Sequence, residues 1–232
     1  MKAILKKIGE NAGSLGYSAF VVGGTVRDLI RGVRNFDLDI VVEGDAIRLG
    51  QLLGREFTGA IVAHKRFGTC TVTAKDGLKI DLATARKEVY ESPGALPTVE
   101  FSALKDDLAR RDFTINAMAI SINKEDFGRL IDLFGGERDL AQGKIRVLHD
   151  KSFIDDPTRI FRCIRFESRP GFSIEVRTLR LAKEAIKKGM LVKLSKYRIK
   201  KELLLILKEE GKRKALERLE ELGAGIIRPF KL

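Results

Sequence analysis

The hydrophobic pattern changes period near residue 150, and the charge balance changes at the same place. Before that point, strand-length apolar runs ("SAFVVGG", "DLDIVVE", "AIVAHKRFGTCTVTA", "GLKIDLATA") alternate with helical stretches stopped by glycine ("ILKKIGENAGSLG", "TVRDLIRG") and with "DAIRLGQLLGREF". From Asp155 onward almost everything has helical spacing: "PTRIFRCIRFES", "RTLRLAKEAIKKG", "KYRIKKELLLILKEE" and "KRKALERLEELG". A further helix is expected over "ALKDDLARRDFTINAMA", and an irregular, mobile loop over "RKEVYESPGALPTVEF", which has two prolines and no period. The expectation is an α+β chain with a mixed sheet and helices over residues 1–150 and an all-helical domain over 151–232. Residues 1–150 carry 22 Lys+Arg against 21 Asp+Glu, whereas 151–232 carry 22 against 11. The net charge of +12 therefore sits almost wholly in the helical part, where it either attracts a polyanion such as nucleic acid or forms a solvated lysine-rich surface.

Other classes are disfavoured. No apolar run approaches the roughly 18 residues that a membrane span requires, and "MKAILKKIGENAG" is too charged for a secretory signal. The two cysteines, Cys70 and Cys163, show neither metal nor redox spacing, so a reducing cytoplasm is the expected location and buried small side chains their expected role.

Within "NFDLDIVVEGD", Asp37 and Asp39 stand at the mouth of an apolar strand with Leu38 between them. Side chains alternate across a strand, so both carboxylates project from one face while Leu38 enters the core. Two carboxylates this close resist joint ionisation, and a divalent cation of the Mg²⁺ type removes that penalty. The alternative is a pair of solvated surface aspartates. Upstream, "VVGGTVRD" reads as a strand, a turn at Gly23 and Gly24, and a helix start with Arg27 one turn in. Glycines permit close backbone approach to a phosphate, and Arg27 can point back at the same anion. The plainer reading is an ordinary strand-to-helix turn. Asp81 in "KIDLA" is a third candidate carboxylate, on a neighbouring strand. A phosphate-binding turn beside paired carboxylates suggests nucleotidyl transfer, with pyrophosphate as the leaving group. No histidine is placed to act as base, so metal-assisted deprotonation of the attacking hydroxyl is expected.

Taken together, "GGTVRDLIRGVRNFDLDIVVEGDA", "RRDFTINAMA", "IDLFGGERDL", "DDPTRIFRCIRF" and "YRIKKELLLIL" resemble, in that order, the class II tRNA nucleotidyltransferase and bacterial poly(A) polymerase family of DNA polymerase beta-like nucleotidyltransferases. The resemblance implies a nucleotidyltransferase head, residues 1–150, followed by a helical neck, with the active site in the cleft between them. It implies Asp37 and Asp39 as ligands of Mg²⁺, and Gly24 and Arg27 as triphosphate contacts. It places Arg111 and Asp112 at the sugar of the incoming nucleotide, although a helix-end charge cluster is the plainer reading of those residues. "DDPTRIFRCIRF" becomes the base-reading segment, with Asp156, Arg159, Arg162 and Arg165 as a stripe on a helix that Pro157 can start. A carboxylate accepting from an exocyclic amine and a guanidinium donating to a ring acceptor fit cytosine and adenine and reject guanine and uracil. The plainer alternative is a solvated basic helix face. Asp155 departs from the family, which usually has glutamate there.

The implied reaction is Mg²⁺-dependent addition of CMP and AMP, from CTP and ATP, to the 3′ end of tRNA. Rivals are an A-adding tRNA enzyme or a poly(A) polymerase, a non-catalytic tRNA-binding protein that kept the fold, and a nucleotidyltransferase acting on small molecules or protein. "TARKEVYESPGALPTVEF" corresponds to the family's flexible loop, where Arg86 either reaches the nucleotide or is solvated. For His64 and Lys65 a structural or surface role is preferred to a phosphate contact. Relatives usually continue into body and tail domains, so this chain is expected to be shorter than they are.

Overall fold

A computed structural model describes residues 1–33 and 38–224 of the chain. The strand-length runs form β1 (Ser18–Val22), β2 (Leu38–Glu43), β3 (Ala60–His64), β4 (Thr69–Thr73) and β5 (Lys79–Thr84). Two short strands follow, β6 (Arg86–Val89) and β7 (Thr98–Phe101), then β8 (Met118–Ser121), β9 (Leu130–Asp132), β10 (Lys144–Ile145) and β11 (Ser173–Ile174). The helices are α1 (Lys2–Ser14), α2 (Gly24–Ile30), α3 (Ala46–Glu56), α4 (Leu104–Ala109) and α5 (Gly136–Ala141). The later ones are α6 (Ser152–Asp155), α7 (Thr158–Glu167), α8 (Val176–Lys187), α9 (Lys196–Leu207) and α10 (Lys212–Glu221).

These elements group into two compact units. The first comprises Met1–Glu88, Val99–Arg111 and Ile115–Glu137. The second comprises Val89–Thr98, Asp112–Thr114 and the chain from Arg138, so it begins ahead of the composition break at 150.

The first unit is built on a seven-stranded mixed sheet in the order β3-β4-β5-β2-β1-β8-β9. Among the described residues of this sheet, only the β2–β5 pair is parallel. Alternation divides the two faces. Ile40, Leu82 and Cys70 are register neighbours across β2, β5 and β4, and α3 lies against that face. A Cβ on Gly50 would meet Cys70 Sγ at 2.3 Å and Leu82 at 3.3 Å, so glycine is what lets the helix seat so closely. Asp45 caps α3 by accepting from the amides of Ile47 (2.9 Å) and Arg48 (3.0 Å). The opposite face carries Phe20, Val22 and Val41, which join Leu104 and Leu108 of α4 with Ala85 and Ala119 in a second apolar cluster. Both cysteines are buried, unpaired thiols, and burial pushes the Cys70 thiol up to about 11.

Two expectations are corrected here. The segment read as an irregular loop contains β6 and β7, which pair as a two-stranded sheet with Lys87 and Glu100 ion-paired across it at 2.9 Å. Its prolines, Pro93 and Pro97, fall outside both strands, where a missing amide costs nothing. The long helix expected over "ALKDDLARRDFTINAMA" ends at Ala109, capped at Arg110. Beyond it Phe113, fully buried, bridges to Val147, and its ring meets Phe166 edge-to-face at 5.8 Å. Burying such a ring is worth about 1.5–3 kcal/mol, enough to override the weak helical preference of the segment.

From Arg138 onward the described part of the second unit is mainly helical, with the short parallel ladder β10–β11. α7 is its axis: α9, α10 and β11 all pack on it, and Phe161, Ile160 and Ile164 are buried there. Glu175 and Ser195 cap α8 and α9. Among the described residues, no helix is long and apolar enough to cross a membrane.

Candidate active site

Asp39 and Asp81 are register partners on the parallel strands β2 and β5, and Thr71 of β4 is the next residue in the row. The row lies on the face opposite α3. Thr71 donates its hydroxyl to Asp81 Oδ1, and the Asp39 amide donates to Thr25 Oγ1 at 3.4 Å. Asp39, Asp81, Thr71, Val22, Arg110 and Arg111 line one cavity of about 380 Å³. Asp81, the third expected carboxylate, thus stands beside Asp39 on the neighbouring strand. The other member of the original pair, Asp37, lies outside the described residues. Among the described residues, no group of three or more Asp, Glu, His or Cys gathers as a metal site.

The glycine turn lies beside two guanidinium groups. Gly23 has φ +68° and ψ −133°, a conformation that side chains disfavour. A Cβ there would lie 2.7 Å from Arg111 Nη1, and one on Gly24 would lie 3.5 Å from Arg27 Nη2. Arg27 is buried. It donates from Nη1 to Asn116 Oδ1 at 2.8 Å and from Nε and Nη2 to Asp28 at 2.9 and 3.1 Å. Helix α2 has only seven residues, and the two guanidinium groups at the turn are each ion-paired to an acid, Arg27 to Asp28 and Arg111 to Asp107.

Arg111 donates from Nη2 to Asp107 Oδ2 at 2.9 Å and from Nη1 to the Asn116 carbonyl at 3.4 Å. Asp107 is fully buried and also accepts from Arg110 Nε (3.0 Å) and Nη2 (2.7 Å). Arg110 then reaches Glu88 of β6 at 2.9 Å. Neither Asp107 nor Asn116 was singled out from sequence, although the spacing Asp-x-x-Arg-Arg on a helix announces such a pair of ion pairs. Arg86 donates to the Phe67 carbonyl at 3.2 Å and sits 3.6 Å from Glu88; burial holds its pKa below the usual value. It is therefore anchored rather than solvated. His64 and Lys65 are exposed at the end of edge strand β3.

The remaining expected residues belong to the second unit. Asp112 is buried; Oδ1 accepts from the Phe113 amide at 2.9 Å, and Oδ2 accepts from Arg162 Nε (2.8 Å) and Nη2 (2.5 Å). The neighbouring Asp112 charge raises the Arg162 pKa against the opposing effect of burial. Asp156 lies just before α7, where it accepts from Thr158 and from Arg198 Nη2 at 2.8 Å. Arg159, 5 % exposed, donates to Ser152 Oγ at 2.7 Å. Arg165 lies 3.9 Å from Glu209, and burial followed by the nearby Arg162 lowers its pKa.

The four residues therefore do not form one stripe. Steps of three on a helix lag a full turn by about 60° each, so the side chains fan out to Arg198, Ser152, Asp112 and Glu209. Nor is this a solvated basic face, because the arginines are largely buried or ion-paired. Glu202 of α9, also missed, lies among them. It is 8 % exposed, its Oε2 has no hydrogen-bond partner, and burial raises its pKa. Asp132 of the "IDLFGGERDL" motif accepts from the amides of Gly136 (2.8 Å) and Glu137 (3.0 Å), a structural role at the start of α5.

Residues 19–146 match the family model described as the poly A polymerase head domain. An A-adding tRNA nucleotidyltransferase of Geobacter sulfurreducens is 49% identical over 95% of this chain and 25% of its own length. One from Halalkalibacterium halodurans is 46% identical over 94% of this chain and 52% of its own. Among solved structures, "The structure of CCA-adding enzyme apo form II" superposes with a TM-score of 0.92 at 49% identity, over 96% of this chain and 52% of that one. The chain thus spans between a quarter and about half of the proteins it matches. The family match runs from β1 to the strand that follows α5, taking in the glycine turn, the carboxylate row and the Asp107–Arg111 grip; the chain belongs to the poly A polymerase head-domain family.

Proposed function

We propose that this chain is the nucleotide-handling part of a tRNA nucleotidyltransferase, which transfers AMP from ATP to the 3′ hydroxyl of tRNA and releases pyrophosphate. The observation that carries the reading is the juxtaposition of Asp39 and Asp81 in a cavity whose wall includes Arg111, the residue that overhangs the Gly23 turn. Phosphates above the turn would meet the guanidinium groups of Arg27 and Arg111, with carboxylates beside them; Arg111, expected at the sugar, is proposed instead as a phosphate contact because it overhangs the turn. The carboxylate pair, with a threonine hydroxyl as neighbour, is an all-oxygen donor set. It suits Mg²⁺, which takes one or two carboxylates and completes its shell with water and phosphate oxygens. Asp39 and Asp81, together with Asp37, would hold the ion, which when bound acidifies an attacking hydroxyl and neutralises the pyrophosphate.

In the second unit, Asp112 held by Arg162 fits a contact to the ribose hydroxyl, and Asp156 with Arg159 remains the proposed reader of the base. The neck, from residue 151, would take the acceptor-stem phosphates. The protein is proposed to work in the cytoplasm.

The finer assignment to AMP alone rests on the two A-adding relatives at 49% and 46% identity. A second reading, stepwise addition of CMP and AMP from CTP and ATP, is favoured by the CCA-adding structure at the same 49% identity. Incubation with tRNA lacking CCA, ending in C, or ending in CC, with each nucleotide in Mg²⁺, distinguishes them. AMP addition to the CC-ended tRNA alone is expected. CMP addition selects the second reading, and binding without any incorporation removes both.

A further inference from the structure

The residue that aims Arg111 is Asp107. We propose that its carboxylate is a positioning group for the triphosphate, acting through Arg111 without touching the nucleotide; this rests on the reading of the glycine turn given above. Three observations converge on it. The Asp107 side chain has no exposure, so it cannot reach a ligand itself. Its two oxygens are divided between two neighbours: Oδ1 takes two donors from Arg110 and Oδ2 takes Arg111 Nη2. Arg111 Nη1 lies where a Cβ on Gly23 would fall, 2.7 Å away, so the guanidinium that Asp107 holds is the one over the turn.

The arrangement is directional. A guanidinium is planar, and fixing one nitrogen against a buried acid while another faces the Asn116 carbonyl restricts the whole fork. Arg111 Nε is also buried and has no hydrogen-bond partner, so nothing else on that edge fixes the group. Arg110 is different: besides Asp107 it holds Glu88 on β6 at 2.9 Å. An amide in place of the Asp107 carboxylate retains one acceptor oxygen. Arg110 competes for it with two donors and keeps Glu88 as well, so Arg111 is the arginine released.

The test is titration of the full chain with ATP and with AMP, for wild type, D107N, R111Q and D107N/R111Q, with a thermal melt of each. D107N is expected to weaken ATP binding roughly tenfold and to leave AMP within about twofold, because AMP lacks the phosphates over the turn. In steady-state incorporation the loss should appear in KM for ATP, with kcat much less changed. The double variant should bind ATP no more weakly than R111Q alone, since the carboxylate acts through that side chain. A D107N protein that binds ATP like wild type while R111Q is weakened overturns the positioning role and leaves the glycine-turn reading standing. Equal losses for ATP and AMP, or additive losses in the double variant, overturn it also. If R111Q itself binds ATP normally, the glycine-turn reading falls and takes this proposal with it. Should D107N not fold, D107E keeps the charge and displaces the oxygens by one methylene. The same loss confined to ATP is then expected, and its absence counts against the proposal.

Discussion

Asp39 and Glu202 are both partly or wholly withdrawn from water, yet opposite expectations attach to them. Asp39 lines an open cavity beside Asp81. Asp39→Ala should reduce nucleotide incorporation by at least roughly a hundredfold while RNA affinity changes less than about twofold, if it supports a charge-stabilising group; single-turnover assays and filter binding measure the two. Glu202 has a folded-state pKa above its ordinary value because burial disfavours the anion. A raised carboxyl pKa means that the stability contribution is full below the unfolded value near 4.5 and is lost as pH rises through the folded value. Above that range burial of this carboxyl is therefore a liability, and Glu202→Gln should raise Tm by roughly 2–4 °C for each kcal/mol relieved. The gain should vanish toward pH 4, as melts across pH would show. The D-x-D pattern and the glycine pair were legible as residues. Glu202 was not, because what distinguishes it is burial, and a solvated acid and an enclosed one look alike in sequence; for Asp107 only the Asp-x-x-Arg-Arg spacing pointed to its ion pairs.

At the scale of elements, periodicity located most strands and helices, and its failures occurred where local preference met a stronger tertiary demand. Helix α4 stops at Ala109 because Phe113 is committed to a different core. The loop acquired β6 and β7 because each supplies the other with backbone partners, a pairing that no single run announces. The ladder of β10 and β11 depends similarly on a close approach: Gly143 has φ +62°, and a Cβ on it would lie 1.8 Å from the Gly171 carbonyl oxygen. Gly143→Ala should therefore destabilise the protein by about 2 kcal/mol or more, whereas Gly171→Ala, with φ +78° but open space around the new methyl, should cost about half as much. Urea titration of the two variants tests the difference.

For the whole molecule, the basic excess has a division of labour that composition conceals. In the second unit Arg162, Arg169, Arg198 and Arg218 each pair with a carboxylate. Lysines such as Lys183, Lys187 and Lys188 make no ion pair among the described residues and carry the charge outward. Replacing those three lysines by glutamine should weaken RNA binding several-fold and flatten its salt dependence by about one power per lost phosphate contact, at unchanged Tm. Arg169→Gln should do the reverse, lowering Tm with little effect on binding, since its partner Glu209 is left half-enclosed. Sequence alone determined the α+β class, the change to helices after about 150, the basic excess and the identity of the residue types at the candidate site, because period, charge and spacing are properties of neighbours along the chain. Only the tertiary structure decided the register that sets Asp81 beside Asp39, that Arg111 overhangs the Gly23 turn, and that the arginines of α7 diverge to separate partners. Those outcomes depend on strand register, helix phase and burial, which arise when distant segments compete for the same space.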